Sequence, residues 1–247
     1  LDTTFATATT AGDPVSYLYN RAPAPATLLF VNQYGSEMAL ANVGESKGVT
    51  RNGSWQSMAD SSTPTGDLDE EFTVHSLIIL PPIMGTFSYM FDIHMLKCFT
   101  WTGGAIGFKN LAGNNATVPV ALIPLRAYLF TIVRRPATID HDGDGVISGY
   151  EFVWTIEDLV ANTTVTHITE PGANHPGIEK VWKIGHPSTH FTHVQSCFIV
   201  HNGRDTGHIA SCQQWIRNQY TGDTNEESET STAEDATFFA ELDIKTS

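Results

Sequence analysis

Phe87-Ser88-Tyr89-Met90-Phe91-Asp92-Ile93-His94-Met95-Leu96 is the stretch on which the fold class turns. Phe87, Tyr89, Phe91, Ile93 and Met95 alternate with Ser88, Met90, Asp92, His94 and Leu96, the period of a half-buried antiparallel strand. The same rhythm returns near the C-terminus, where Phe238, Ala240, Leu242 and Ile244 alternate with Phe239, Glu241, Asp243 and Lys245. Further predicted strands lie at Ser16 to Tyr19, Thr27 to Asn32, Glu37 to Val43, Phe72 to Leu80, Ala105 to Lys109, Val118 to Arg134 and Phe191 to His201. Gly, Pro and Asn punctuate them at spacings suited to an antiparallel β-sandwich or a jelly roll.

At 247 residues with 41% hydrophobic residues, the chain can bury a sizeable core, and one β-rich domain over 1–247 is expected. The longest apolar run, Leu77 to Met84, is broken by Pro81 and Pro82 and falls short of the roughly 20 residues that span a bilayer. A net charge of −14, from 27 acidic against 13 basic residues, repels phosphate backbones and anionic membranes. Calcium and basic protein surfaces are the better partners, although solubility alone accounts for much of such acidity.

One acidic segment has an ordered pattern. Asp140-His141-Asp142-Gly143-Asp144-Gly145-Val146-Ile147-Ser148-Gly149-Tyr150-Glu151 places carboxylates at positions one, three, five and twelve, with glycine at position six. Calcium takes about six to eight oxygens, and a short loop supplies them when alternate residues point inward around a tight turn. Val146 would offer its carbonyl, Ser148 a direct or water-mediated oxygen, and Glu151 both carboxylate oxygens, while apolar Ile147 is expected to pack behind the loop. The segment resembles an EF-hand calcium loop. That resemblance implies calcium as cofactor and Asp140, Asp142, Asp144, Val146, Ser148 and Glu151 as its ligands.

The flanks of the loop differ from one another. Ser148 to Asn162 is predicted as an outgoing helix, because Phe152, Ile156, Leu159 and Val160 recur at helical spacing. Ala121 to Arg135 is rich in branched and aromatic residues and ends at Pro136, so a strand enters the loop. Residues 136–189 are accordingly expected to form a calcium-binding helical insertion, with Ile178 to Ile184 as a second short helix and Ser211 to Asn218, beyond it, as a helix or strand. Asp223 to Glu234 has oxygens at several loop positions, but Ser228 replaces the turning glycine; residues 221–235 read as an acidic flexible linker.

The first residue is leucine, and the expectation is of a mature or excised piece. Acceptor sequons at Asn52, Asn115 and Asn162 suit a secreted, extracellular glycoprotein. Cys197 and Cys212 flank a turn-like stretch and are expected to close a disulfide, leaving Cys98 as a buried thiol in an apolar strand.

His186, His190 and His193, spaced four and three apart, are a candidate copper or zinc set, with His175, His201 and His208 near in sequence. Pro187 and the Ser, Thr and Phe around them favour a loop running into a strand and ordinary exposed histidines instead. The chain has no Gly-x-Ser-x-Gly elbow, no His-Glu-x-x-His and no phosphate-cradling glycine loop, and Asp67, Asp69, Glu70 and Glu71 read as a solvated strand start. No catalytic residue is assigned. The leading expectation is a calcium-binding structural or interaction protein that joins an extracellular protein, a glycan or its own copies. The alternatives are a calcium-dependent lectin-like module, with Trp154 or Trp182 near the loop stacking on a sugar although core packing is the expected fate of Trp101 and Trp154, and a metal-dependent secreted enzyme using the histidines.

Overall fold

The computed structural model describes residues 6–7, 14–15, 17–19, 29–32, 38–50, 55–58, 71–80, 88–93, 96–100, 104–109, 114–170, 183–184, 194–223, 238–240 and 245–246. In chain order the strands are β1 (Ala6–Thr7), β2 (Pro14–Val15), β3 (Tyr17–Tyr19), β4 (Leu29–Asn32), β5 (Met38–Val43), β6 (Ser46–Thr50) and β7 (Trp55–Met58). Then come β8 (Phe72–Ile79), β9 (Ser88–Asp92), β10 (Lys97–Thr100), β11 (Ala105–Lys109), β12 (Asn115–Ala121), β13 (Ala127–Pro136), β14 (Tyr150–Asp158) and β15 (Thr163–Thr169). The chain continues through β16 (Lys183–Ile184), β17 (Val194–Asn202), the helix α1 (Thr206–Thr221), β18 (Phe238–Ala240) and β19 (Lys245–Thr246).

These strands form two antiparallel sheets. One runs β1-β19-β3-β4-β7-β16-β9-β10-β11-β12, and the other β15-β14-β13-β8-β17-β6-β5-β2, with β18 also on β17. The fold is mostly β, as expected. The main core lies between the sheets: Phe72, Val74 and Ile78 of β8, Phe130 and Ile132 of β13, and Phe152, Trp154 and Ile156 of β14 meet Phe91, Cys98, Ile106, Phe108 and Val118 of the opposite sheet. Alternation puts Phe72, Val74 and Ile78 on this face and sends Thr73, His75 and Leu77 to the other. All six are buried, so β8 is covered on both sides.

The cover on the outer face is α1. Asp205 caps its N-terminus by accepting from the His208 amide at 2.8 Å, and Gly222 ends it in the left-handed conformation at φ 79°. Cys212, Trp215 and Ile216 share one helix face and pack on Leu77, Leu129 and Ile199. Arg217 forks onto Glu157 of β14, with Nε and Nη2 donating at 2.8 Å and 2.6 Å. The helix is thereby docked by a greasy face and one charged pair at its edge.

Several expectations change. Ser148 to Asn162 is not a helix: it contains β14, which is zipped to β13 from Tyr128↔Asp158 to Pro136↔Tyr150 and to β15 from Phe152↔Thr169 to Asp158↔Thr163. Phe152, Trp154 and Ile156 also alternate, and the run Val153-Trp154-Thr155-Ile156 is of branched and aromatic residues that suit a pleated surface. Over residues 136–170 the proposed helical insertion is therefore a β-hairpin extended by a third strand. Lys183–Ile184, assigned above to a short helix, pairs as β16 with β7 and β9. The Val118 to Arg134 run divides into β12 and β13, and the link holds Leu125 at φ 62°.

The expected disulfide is absent: Cys98, Cys197 and Cys212 are all buried and none is bridged to another. Residues 201–207 lead from a strand into α1 rather than closing a hairpin, so the two cysteines enter the second core as small apolar groups. Burial pushes the Cys197 thiol up to about 12. Of the acidic stretch 221–235, residues beyond Asp223 lie outside the described residues, as do Leu242 to Ile244 of the expected last strand.

Candidate functional site

The loop between β13 and β14 projects from the end of the second sheet, and residues 141–149 are exposed throughout. Its base is a ladder extension, Ala137 N–H to Gly149 carbonyl at 3.0 Å. Above that base the oxygens of Asp140, Asp142 and Asp144 come within 4.8 Å of one another. The backbone organises them: Asp140 accepts from the amides of Gly143 at 2.7 Å and Gly145 at 2.8 Å, Asp142 from Asp144, and Asp144 from Val146 at 2.7 Å. The Gly145 and Gly143 amides hold the Asp140 carboxyl below its usual range, so it is ionised over the neutral range. Gly145 turns the chain at φ 87°, the tight turn that its place in the loop anticipates.

The remaining expected ligands are disposed differently. Glu151 is fully buried, and both of its oxygens are committed. Oε1 accepts from Arg135 Nε and Thr138 Oγ1, each at 2.8 Å, while Oε2 accepts from the Thr138 amide at 2.9 Å and faces His141 Nε2 at 3.3 Å. Burial raises its pKa, but the Thr138, Arg135 and His141 bonds outweigh that and leave it lowered. Glu151 thus clamps the base of the hairpin, apart from the carboxylate cluster. Val146 and Ile147 are 59% and 58% exposed, so Ile147 does not pack behind the loop. Three carboxylates on a turning backbone suit a hard cation; the twelfth position does not, because β14 directs Glu151 to Arg135.

Beside the loop is a hollow of about 280 Å³ lined by residues that include Arg134, Asp142, Ser148, Tyr150 and Glu170. The Arg134 guanidinium lies 4.0 Å from the centre of the Tyr150 ring. Trp154 is unavailable to it, being buried with its Nε1 donating to Thr169 Oγ1 at 2.8 Å. Trp182 lies outside the described residues. Of the sequons, Asn115 and Asn162 are exposed, the latter in the β14–β15 turn at φ 54°; Asn52 lies outside the described residues.

His186, His190 and His193 also lie outside the described residues. A different histidine group gathers under α1: His75 of β8, His201 of β17 and His208 of the helix, next to Cys212. Burial, followed by the charges of His201 and His208, pushes His75 well below the usual histidine range, so its ring is neutral. His75 escaped sequence reading because it stands 126 residues from His201. The one local sign was His208-x-x-x-Cys212, which a helix aligns on one face.

The fold and site define a two-sheet β protein with an outer helix and an acidic hairpin tip. No protein-family profile matches the chain, and no curated protein does. Among solved structures, tailspike protein 2 from Escherichia coli O157:H7 bacteriophage CAB120 is similar at 11% identity over 96% of this chain and 31% of that one, with a TM-score of 0.46. The binding domain of botulinum neurotoxin DC, in complex with SialylT, is similar at 9% identity over 79% of this chain and 49% of its own, with a TM-score of 0.43. This chain spans less than half the length of either, and nothing about ligand or activity passes from them at such identities. Among the described residues no helix is long and apolar enough to cross a membrane.

Proposed function

We propose that this chain is a calcium-binding interaction protein whose hairpin tip is the ion site. Asp140, Asp142 and Asp144 would hold the ion, and its charge would offset their mutual repulsion and stiffen the wall of the adjoining hollow. The observation that carries the reading is the convergence of three carboxylates within 4.8 Å on an exposed, glycine-turned loop. With Glu151 engaged elsewhere, affinity should fall at the weak end for such loops, roughly 10⁻⁴ to 10⁻³ M, which suits an extracellular setting. Calorimetric titration checks this. The unaltered chain should bind one calcium in that range, and the Asp140→Asn, Asp142→Asn pair should weaken binding at least tenfold without lowering calcium-free stability much. Equal binding by the pair, or none by the unaltered chain, rejects the site.

A glycan is the ligand that the hollow favours. Tyr150 supplies an apolar ring, and Arg134, Ser148 and Glu170 supply donors and acceptors, a mixture that fits a hydroxyl-rich molecule. A glycan array run in calcium and again in chelator tests it; binding that is lost in Tyr150→Ala and in chelator is expected, and an array with no calcium-dependent binder rules the lectin reading out.

A further inference from the structure

The second core contains a polar cluster that the hairpin does not use. His75 and His201 are buried on neighbouring strands, with their Nε2 atoms 3.4 Å apart and their rings stacked at 5.5 Å between centroids. From α1, the ring of His208 stands edge-on to His201 at 4.4 Å, and its Nε2 lies 3.6 Å from the buried sulfur of Cys212. Donor atoms of His75, His201 and Cys212 all lie within 4.8 Å of one another.

The His75–His201 spacing is that of one edge of a coordination tetrahedron. Two imidazole nitrogens on one zinc, each bound at about 2.0–2.1 Å, stand roughly 3.3–3.4 Å apart at the tetrahedral angle. A nitrogen and a thiolate bound at about 2.3 Å stand roughly 3.6 Å apart. The His75–His201 pair matches the first edge, and the Cys212 sulfur lies within 4.8 Å of both nitrogens; His208 meets Cys212 at 3.6 Å but stands outside this group of three. The far sides of the rings are anchored as metal-bound histidines require: His201 Nδ1 faces the Asn202 carbonyl at 3.4 Å, and His75 Nδ1 faces Thr131 Oγ1 at 3.0 Å. A carbonyl can only accept, so the proton of a neutral His201 sits on Nδ1 and its Nε2 lone pair points toward His75. Thr131 is itself held by Gln213 of α1, whose amide donates to it at 3.0 Å.

We propose that His75, His201 and Cys212 form a buried structural site for a divalent zinc-class ion that ties α1 to β8 and β17, with His208 standing beside it. All three donors are buried beneath α1, so the role is to fix the helix on the sheet rather than to activate a substrate. On binding, the Cys212 thiol loses its proton to solvent and the two imidazoles bind as neutral ligands.

Cobalt(II) is the probe, added to the metal-stripped full chain both folded and during refolding. One equivalent should produce the visible bands of tetrahedral cobalt and a near-ultraviolet thiolate-to-cobalt band, both bleached by one equivalent of zinc. Cys212→Ser should remove the thiolate band, whereas Cys197→Ser, in the same core, should keep it. Thr131→Val should retain the spectrum but weaken affinity about 10–100-fold, the usual cost of losing a group that orients a metal-bound histidine. A refolded, unaltered chain with no tetrahedral spectrum overturns the site and leaves a buried histidine–histidine hydrogen bond. A thiolate band that survives Cys212→Ser overturns it equally.

Discussion

Glu151→Ala should destabilise the protein by about 3–5 kcal/mol, in chelator and in calcium alike. The buried carboxylate receives Arg135, the Thr138 hydroxyl and the Thr138 amide, and faces His141, so it joins the two strands where their loop begins. Removing it strands the Arg135 charge, which is only 28% exposed, and leaves the Thr138 donors without their acceptor. Urea unfolding in the two buffers measures the effect. If Glu151 instead closed a calcium site, the loss would appear mainly in calcium, so a large gap between the buffers contradicts the clamp. The pH dependence has a definite sign. The folded pKa of Glu151 is lowered, so its contribution is fully present above the unfolded carboxylate value near 4.5 and drains away as pH falls through the folded value. Wild type should lose more stability than Glu151→Gln on acidification through that window, and parallel curves would contradict this.

Trp154→Ala should cost about 3–5 kcal/mol, or roughly 2–4 °C of melting temperature for each kcal/mol in a domain of this size. Trp154 is fully buried at the centre of β14 and touches both sheets, meeting Phe108 at 5.5 Å and Phe152 at 6.0 Å between ring centres. Its Nε1 also fastens β15 through Thr169. Truncation opens a cavity between sheets that cannot close without moving a paired strand. Trp154→Phe should recover much of the loss but not the Thr169 bond. A melting temperature unchanged in Trp154→Ala would contradict the inter-sheet placement.

The strands were legible wherever local pattern and final environment agree. Ala105 to Lys109 appears as β11 with the expected bounds, and Phe72 to Leu80 and Glu37 to Val43 differ from β8 and β5 by one residue at one end. Ser148 to Asn162 was not legible, because Phe152 and Ile156 fit a helical period as well as an alternating one. Pairing to β13 on one side and β15 on the other decides between them, and those partners are not encoded within the stretch itself. The same holds for Cys212, whose separation from Cys197 suggested a covalent loop until α1 turned it into a core residue.

The acidic hairpin tip is the work of the sequence alone: Asp140, Asp142, Asp144 and the turning Gly145 act within a few residues of one another, so spacing is enough to bring three carboxylates together. What Glu151 does was settled by tertiary structure, because a strand sends alternate side chains to opposite faces and this one meets Arg135. The cluster of His75, His201, His208 and Cys212 belongs wholly to the tertiary level. Two strands paired in the sheet and a helix laid across them bring together donors that chain proximity never could.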